Sequence, residues 1–206
     1  MIENIKLNKF EILIMLLATA FLPLLSLMIG DAVTSLLFER VDLLGMMFAE
    51  RLLFALVALL ILNIYLKIRF IDIKVEQVIS IRQLIKYSLM IIVISYLVYK
   101  FLATNQIYVY ILAYISLNFL IAWEEELVYR LMVPKIIEKL FNNILIICLI
   151  QSLIFSFIGH PEQTFFDNLV YRFPLGILLY YMKQKTGKIF LPTLAHAIWN
   201  IILSYT

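Results

Sequence analysis

The stretch FEILIMLLATAFLPLLSLMI, residues 10–29, decides the fold class of this chain. Its only charged residue is Glu11. A helix rises about 1.5 Å per residue and the hydrocarbon core of a bilayer is about 30 Å thick, so a run of this length makes one crossing. The run is longer than the apolar core of a signal peptide, and no small-residue cleavage site follows it. We therefore predict a transmembrane helix that the protein retains.

The rest of the chain repeats this pattern. Of its 206 residues, 64% are hydrophobic and 15% are charged, whereas soluble domains carry about 25% charged residues. We predict an all-α fold, a polytopic transmembrane helix bundle of about seven spans (roughly six to eight), that forms a single membrane domain over residues 1–206. The six further spans are predicted at residues 52–66, 87–102, 107–126, 144–159, 169–182 and 189–204.

The connections between these spans carry predictions of their own. Residues 31–51 mix charged and apolar positions, which indicates a partly interfacial connection. Residues 67–86 combine basic residues with a recurrent apolar face, which indicates an amphipathic helix on the membrane surface. Residues 162–168 are predicted to form a polar loop and residues 183–188 a tight basic turn. Pro134 is predicted to kink or end the fourth helix.

The charged residues predict orientation and partners. Most of the 17 Lys and Arg residues fall on the cytoplasmic side if the N-terminus lies in the cytoplasm, as the positive-inside rule requires. The formal net charge of +3 suggests no nucleic-acid partner, and lysines between apolar runs are placed to meet anionic head groups of the bilayer. We predict a multi-pass protein of a cell membrane. A short chain rich in lysine and isoleucine is typical of a bacterial protein.

The segment WEEELVYR, residues 123–130, places three adjacent glutamates at the end of a strongly apolar helix. Glu126 and Arg130 are four residues apart and can pair on one helix face. Neighbouring carboxylates in a low dielectric cannot all ionise cheaply, and a carboxylate tuned in this way can act as a general base towards water. The alternative is a solvated helix end at the cytoplasmic surface, and this segment alone does not decide between the two.

The two histidines of the chain, His160 and His196, both lie within or at the ends of predicted spans. His196 and Asn200 are four residues apart and project from the same helix face. There they could donate hydrogen bonds to a developing oxyanion. Taken singly, the histidines are better explained as a helix-end residue and as a contact between helices. Together with the glutamates they form the polar set of a hydrolytic site.

Several other classes of catalytic site are excluded by the motifs they require. The chain has no His-Glu-x-x-His pair for zinc and no Gly-x-Ser-x-Gly elbow for a nucleophilic serine. Its four aspartates fall in the predicted connections, so a pair of intramembrane aspartates is absent. No glycine-rich phosphate loop is present.

These residues resemble the motifs of the CPBP family, the CAAX proteases and bacteriocin-processing enzymes that are also called the Abi family. That family carries Glu-Glu-x-x-x-Arg, Phe-x-x-x-His and His-x-x-x-Asn in this order. Residues 125–130 match the first motif and residues 196–200 match the third. The stretch 186–195 before the third motif also looks familial. The resemblance covers a predicted catalytic core at residues 107–206.

The second motif departs from the family pattern by one residue. Ser156 stands four residues before His160, while Phe155 stands five before it and Phe157 three before it. We expect a neighbouring ring to substitute for the phenylalanine of the motif. The departure places the register of the fifth helix in question, and His160 remains the histidine of the motif.

The resemblance implies an intramembrane peptidase that hydrolyses a peptide bond with an activated water. The resemblance leaves metal dependence open. We favour a metal-free glutamate mechanism without a cofactor, and the alternative is a zinc ion held by Glu125, His160 and His196. The implied roles are water activation by Glu125 and His160, oxyanion binding by His196 and Asn200, and support of the site by Glu126 and Arg130.

The predicted substrate is a membrane-associated or leader-bearing peptide or protein, which includes lipidated and bacteriocin-like peptides. One alternative is a non-proteolytic scaffold or a bacteriocin self-immunity protein with the same fold. A third hypothesis is a small transporter with a proton-relay glutamate. It would require broken helices in matching halves of the chain, and the sequence shows no such pattern. The substrate prediction names a class of substrate and leaves the individual substrate and the oligomeric state open.

The predicted spans place the two main catalytic residues at different depths. Glu125 lies towards the cytoplasmic end of the fourth span and His160 at the opposite end of the fifth, about 20 Å apart along the bilayer normal. A shared site therefore requires the fourth helix to run deeper, towards Met132, and the fifth to shift or tilt.

Overall fold

The apolar runs fold into helices within the residues that the computed structural model describes, 7–37, 43–71 and 106–203. These residues contain no strand, which confirms the all-α prediction. The helices are α1 Lys9–Leu37, α2 Leu43–Lys67, α3 Gln106–Glu126, α4 Val133–Ile137, α5 Ile144–Leu153, α6 Phe165–Asp167, α7 Phe173–Thr186 and α8 Phe190–Leu203. The first, second and third π segments are Leu127–Met132, Ile154–Ile158 and Asn168–Arg172. The predicted third span and most of the predicted amphipathic helix lie outside the described residues.

Helices α1 and α2 form an antiparallel pair. The Thr19 hydroxyl lies 2.9 Å from the Tyr65 hydroxyl, and at the other end of the pair Gly30 lies against Glu50. A Cβ atom at Gly30 would be 3.1 Å from the Glu50 Cα, so glycine permits the close approach of the two backbones. The connection predicted at residues 31–51 is shorter, because residues 31–37 belong to α1 and residues 43–51 belong to α2.

Two helices of the described residues, Lys9–Leu36 and Leu43–Lys67, are long and apolar enough to cross a membrane. Two shorter apolar helices, Ile144–Ile158 and Phe190–Leu203, lie in the C-terminal half. They agree closely with the predicted spans 144–159 and 189–204. The predicted count of seven spans is not confirmed.

An unbroken helical run extends from α3 through the first π segment into α4. Pro134 lies near the start of α4 and neither ends the run nor replaces it with a loop. Proline lacks an N–H group and crowds the carbonyl one turn earlier. The first π segment ends at Met132, two residues before Pro134. Its i to i+5 pattern, with the Val133 N–H donating to the Val128 carbonyl, replaces the regular α-helical pattern at this point.

The continuation of this run corrects the predicted difference in depth. Glu125 lies twelve residues before the end of α4, which is roughly 18 Å along the helix. The chain then turns at residues 138–143, and α5 with the second π segment runs back for roughly 22 Å before it reaches His160. Glu125 and His160 therefore lie at the same level along the helices, with 3.5 Å between the Glu125 Oε2 and the His160 Nε2. This agrees with the expectation that the fourth helix runs deeper.

The connections before and after α7 are shorter than predicted. The predicted loop 162–168 is shorter, because the Thr164 side chain accepts a hydrogen bond from the Asp167 N–H and starts a helix at Phe165. The predicted turn 183–188 is shorter too, since α7 continues to Thr186. Gly187 ends it with a positive φ of 67°, and its N–H donates to the Lys183 carbonyl. This is a left-handed cap of the kind that glycine allows.

Candidate active site

The glutamate triplet at the end of α3 is buried. Glu124 and Glu126 are fully buried, and Glu125 is 5% exposed. The interpretation of the triplet as a solvated helix end is wrong, because the helical run continues and both α2 and α8 pack against α3. Buried carboxylates require counter-charges or hydrogen bonds, and each of the three glutamates contacts a different set of partners.

His196 lies between two of these carboxylates. Its ring is fully buried on α8, and Nδ1 lies 3.0 Å from the Glu126 Oε1, so the Nδ1–H donates to that carboxylate. Its Nε2 lies 3.7 Å from the Glu125 Oε2 and has no hydrogen-bond partner among the described residues. Glu126 therefore orients the imidazole and leaves Nε2 facing Glu125.

Arg130 lies beneath the site in the first π segment. It is fully buried, and its Nε lies 3.3 Å from the Glu126 Oε2. The guanidinium also stacks over the Phe155 ring, 4.0 Å from its centroid. None of its nitrogens has an aligned hydrogen bond to a described residue, so the pair is an ionic and cation–π contact. Arg130 places a positive charge beside the carboxylate that contacts the imidazole.

His160 follows the second π segment and faces Glu125 from the other side. Its Nε2 lies 3.5 Å from the Glu125 Oε2 and 3.0 Å from the Arg172 Nη1. The backbone of His160 is held as well, because the buried Asn168 side chain donates to its carbonyl at 3.0 Å. The third π segment therefore contributes two side chains that fix the position of this histidine.

The loop residue Glu162 contacts the opposite edge of the same ring, where its Oε1 lies 3.5 Å from the His160 Nδ1. This contact lowers the pKa of Glu162 to about 2, so its carboxyl is ionised at neutral pH. The Glu162 carboxylate borders Nδ1 and the Arg172 guanidinium borders Nε2, so both edges of the ring are held by charged side chains.

Phe155 contacts both histidines, as we expect of a ring that substitutes for the phenylalanine of the second motif. It packs edge-to-face against His160, with centroids 5.0 Å apart, and against His196, with centroids 5.6 Å apart. The Gly159 N–H donates to the Ile154 carbonyl five residues earlier, which is the pattern of a π turn. A widened turn places residues five apart on one face, so it absorbs the one-residue offset. Phe157 instead packs against Phe165.

The predicted site residues thus fall into two groups. In the first group, His160 and His196 both approach the Oε2 atom of Glu125. In the second group, Glu126 contacts His196 and Arg130 contacts Glu126. Asn200 lies on α8 one turn beyond His196 and is half-buried, as the spacing of the third motif predicts. Their assigned roles remain predictions.

Two arginines that the sequence prediction missed contact the site. Arg172 contacts His160, and Arg51 lies 3.0 Å from the Glu124 Oε1 and 3.5 Å from the Glu125 Oε1. Arg172 falls inside the predicted sixth span, and charges inside a bilayer are costly enough to suggest a role. That signal could have identified Arg172. Arg51 borders a run of apolar residues, and only the fold brings it to α3.

A metal ion fits these side chains poorly. Within the described ranges, no group of three His, Cys, Asp or Glu residues is arranged to hold a metal. The three residues of the zinc alternative approach one another, but a guanidinium lies 3.0 Å from the His160 Nε2 and another lies beside Glu125. Two fixed positive charges next to the donor atoms would repel a divalent cation.

Residues 108–202 match the family model described as type II CAAX prenyl endopeptidase Rce1-like. The match is consistent with a CPBP intramembrane protease and confirms the resemblance inferred from the motifs. Its bounds include all three motifs. No curated protein and no solved structure matches the chain.

Proposed function

We propose, with this family of membrane-embedded peptidases as the premise, that the chain is an intramembrane endopeptidase that uses a glutamate-activated water. The observation that carries the proposal is the convergence on one buried oxygen. The Glu125 Oε2 lies 3.5 Å from the His160 Nε2 and 3.7 Å from the His196 Nε2. It has no hydrogen-bond partner among the described residues, so this oxygen is suited to take a proton from a water molecule.

In the proposed reaction the water gives one proton to the Glu125 Oε2, and its oxygen attacks the scissile carbonyl carbon. His160 borders the same carboxylate oxygen and positions the water. The ring of His196 donates from Nε2 to the developing oxyanion, and Asn200 donates a second hydrogen bond. Glu125 then passes its proton to the leaving amine nitrogen as the carbon–nitrogen bond breaks, which returns the carboxylate to its starting state.

Glu126 and Arg130 support this reaction through His196. The Glu126 carboxylate accepts from the Nδ1–H of His196 at 3.0 Å, which keeps the ring oriented. Arg130 balances the charge of Glu126. A donor that is already aligned need not reorganise during the reaction, and such preorganised donors are worth about 10²–10³-fold in rate.

The proposed substrate is a peptide segment that reaches the buried site from the membrane. This class of substrate includes leader-bearing, lipidated and bacteriocin-like peptides. The proposed physiological task of the peptidase is the maturation of these peptides. The direct experiment is cleavage of a panel of such peptides by the purified chain in lipid, with products identified by mass spectrometry. Cleavage within the panel supports the proposal. Absence of cleavage across a panel that includes prenylated C-terminal peptides would contradict it and favour a scaffold or immunity role.

The proposed mechanism predicts that chelators leave the activity unchanged. Because Arg51 and Arg172 place positive charge beside the candidate ligands, we expect the metal content of the purified protein to be far below one ion per molecule. The measurement combines elemental analysis with cleavage rates before and after treatment with a strong chelator. Stoichiometric zinc, or a chelator-induced loss that added zinc reverses, would contradict the metal-free mechanism.

Phe155 is predicted to position both histidines. Replacement Phe155→Leu keeps most of the apolar volume and removes the edge-to-face contacts, each worth about 0.5–1.5 kcal/mol. We expect kcat to fall by about tenfold, with a smaller change in KM. The matched control is Phe157→Leu, in the same π segment but packed against Phe165, which should retain the wild-type rate. Equal effects of the two variants would contradict a specific role of Phe155.

A further inference from the structure

One member of the glutamate triplet, Glu124, has no part in the proposed reaction. It is nevertheless fully buried, and a buried carboxylate needs a specific partner. That partner is Arg51 on α2, whose Nη1 lies 3.0 Å from the Glu124 Oε1. The same nitrogen lies 3.5 Å from the Glu125 Oε1. A single guanidinium therefore bridges the unused glutamate and the proposed general base.

The bridge gives the two oxygens of Glu125 different surroundings. Oε1 faces Arg51, whereas Oε2 faces His160 and His196. The terminal torsion of a glutamate is broad and roughly two-fold, so the carboxylate plane has no strong preference of its own. The contact with Arg51 restrains this torsion and holds Oε2 towards the two imidazoles.

Glu124 restrains Arg51 in turn. The arginine side chain is 23% exposed, and a long side chain at a helix surface loses substantial rotamer freedom when it is held in one position. The shorter of its two contacts, 3.0 Å against 3.5 Å, is with Glu124, which is fully buried. The chain of contacts thus runs from the rigid α3 backbone through Glu124 and Arg51 to the rotatable carboxylate of Glu125.

We propose that Arg51 and Glu124 are positioning residues that set the orientation of the Glu125 carboxylate. This inference rests on the proposed function, in which Glu125 is the general base. Arg51 lies outside the residues 108–202 that match the family model. The N-terminal helix pair therefore contributes to the reaction and does more than anchor the matched region in the membrane.

A purely structural role would have different consequences. The Arg51–Glu124 contact also ties α2 to α3, and loss of such a tie would lower stability while leaving the chemistry of the remaining folded molecules intact. A positioning role instead lowers kcat in the folded protein, because misplacement by about 1 Å can cost about 10²-fold in rate. Rates must therefore be normalised to folded protein.

The test compares kcat and KM for the wild type with those of Arg51→Met, Arg51→Lys and Glu124→Gln in lipid. We expect Arg51→Met to lower kcat by about 10–100-fold with KM within about threefold. Arg51→Lys, which keeps the charge, should recover part of the loss, and Glu124→Gln should show an intermediate loss. The matched control is Arg69→Met, at an exposed arginine just beyond the end of α2, which should behave as wild type. An Arg51→Met enzyme with wild-type kcat would overturn the proposal.

A second measurement does not depend on activity. Carbodiimides activate the protonated form of a carboxyl group, and loss of a neighbouring cation favours that form. We expect Arg51→Met to raise the labelling of Glu125 several-fold over the wild type, with the modified residue identified by peptide fragmentation. Unchanged labelling would overturn the Arg51 contact with Glu125 even if no peptide is cleaved. Wild-type cleavage with unchanged Arg51→Met rates and labelling would leave the proposed function intact and remove only this inference.

Discussion

Replacement Glu125→Gln is expected to lower kcat by roughly 10²–10⁴-fold, the usual contribution of a general base. The amide keeps the shape of the side chain but cannot take a proton from water. The residue is 5% exposed and contacts both histidines, so no other described carboxylate can replace it without a change of backbone. The measurement is single-turnover cleavage by the purified variant in lipid, and KM should change much less than kcat.

The control for this prediction is a glutamate remote from the site. Glu138 pairs with Lys135 at 2.6 Å just after α4, and its side chain is 36% exposed, so Glu138→Gln should cleave at the wild-type rate. Both variants should unfold at similar temperatures if the effect on Glu125 is chemical. Cleavage that survives Glu125→Gln would refute the assignment of the general base and point to Glu124, or to a contaminating protease.

Replacement Arg130→Met is expected to cause the largest loss of stability among the site residues. Breaking a buried ion pair by removing one partner costs about 3–5 kcal/mol, because the remaining charge stays uncompensated. Here the uncompensated group would be Glu126, which is fully buried. The cation–π contact with Phe155 would be lost as well. The measurement is the free energy of unfolding, or the midpoint of thermal unfolding, in one defined lipid or detergent.

A double variant separates the charge effect from the loss of packing. Arg130→Met combined with Glu126→Gln removes both charges, and we expect it to be more stable than Arg130→Met alone. Methionine fills most of the volume of the arginine stem, so the remaining deficit should be small. If the losses of the two single variants simply add, Arg130 and Glu126 do not interact, and the ion pair has no role in the fold.

Much of the helical structure could be predicted from the sequence because apolar runs leave few other solutions. The predicted spans at 144–159 and 189–204 differ from the observed helices by about one residue. The helices at residues 31–37 and 43–51 were not predicted, because the charges in this range indicate solvent when the sequence is considered alone. In the fold, the guanidinium of Arg51 contacts two glutamates on another helix, and such a long-range contact leaves no local signal.

The part of the candidate site that could be predicted is built from residue types that are rare in this chain or unusual in an apolar run. Only two histidines exist, and three adjacent glutamates in an apolar run require partners, so the convergence of His160 and His196 on Glu125 could be anticipated. The depth of the site could not, because it depends on how far the helix continues beyond Glu126. Arg172 was not predicted as a site residue because it falls inside a predicted span. Its contact with His160 depends on the turn of the chain between them.

The second π segment bears on how distant relatives are recognised. A search pattern written as phenylalanine, three arbitrary residues and histidine would reject this chain, although Phe155 packs against His160 and His196. One extra residue within a helical turn leaves the side chain in place and changes only the count of letters between two positions. Comparisons between divergent members should therefore align turns and not residue numbers, and a single-residue gap inside a helix need not signal a lost site.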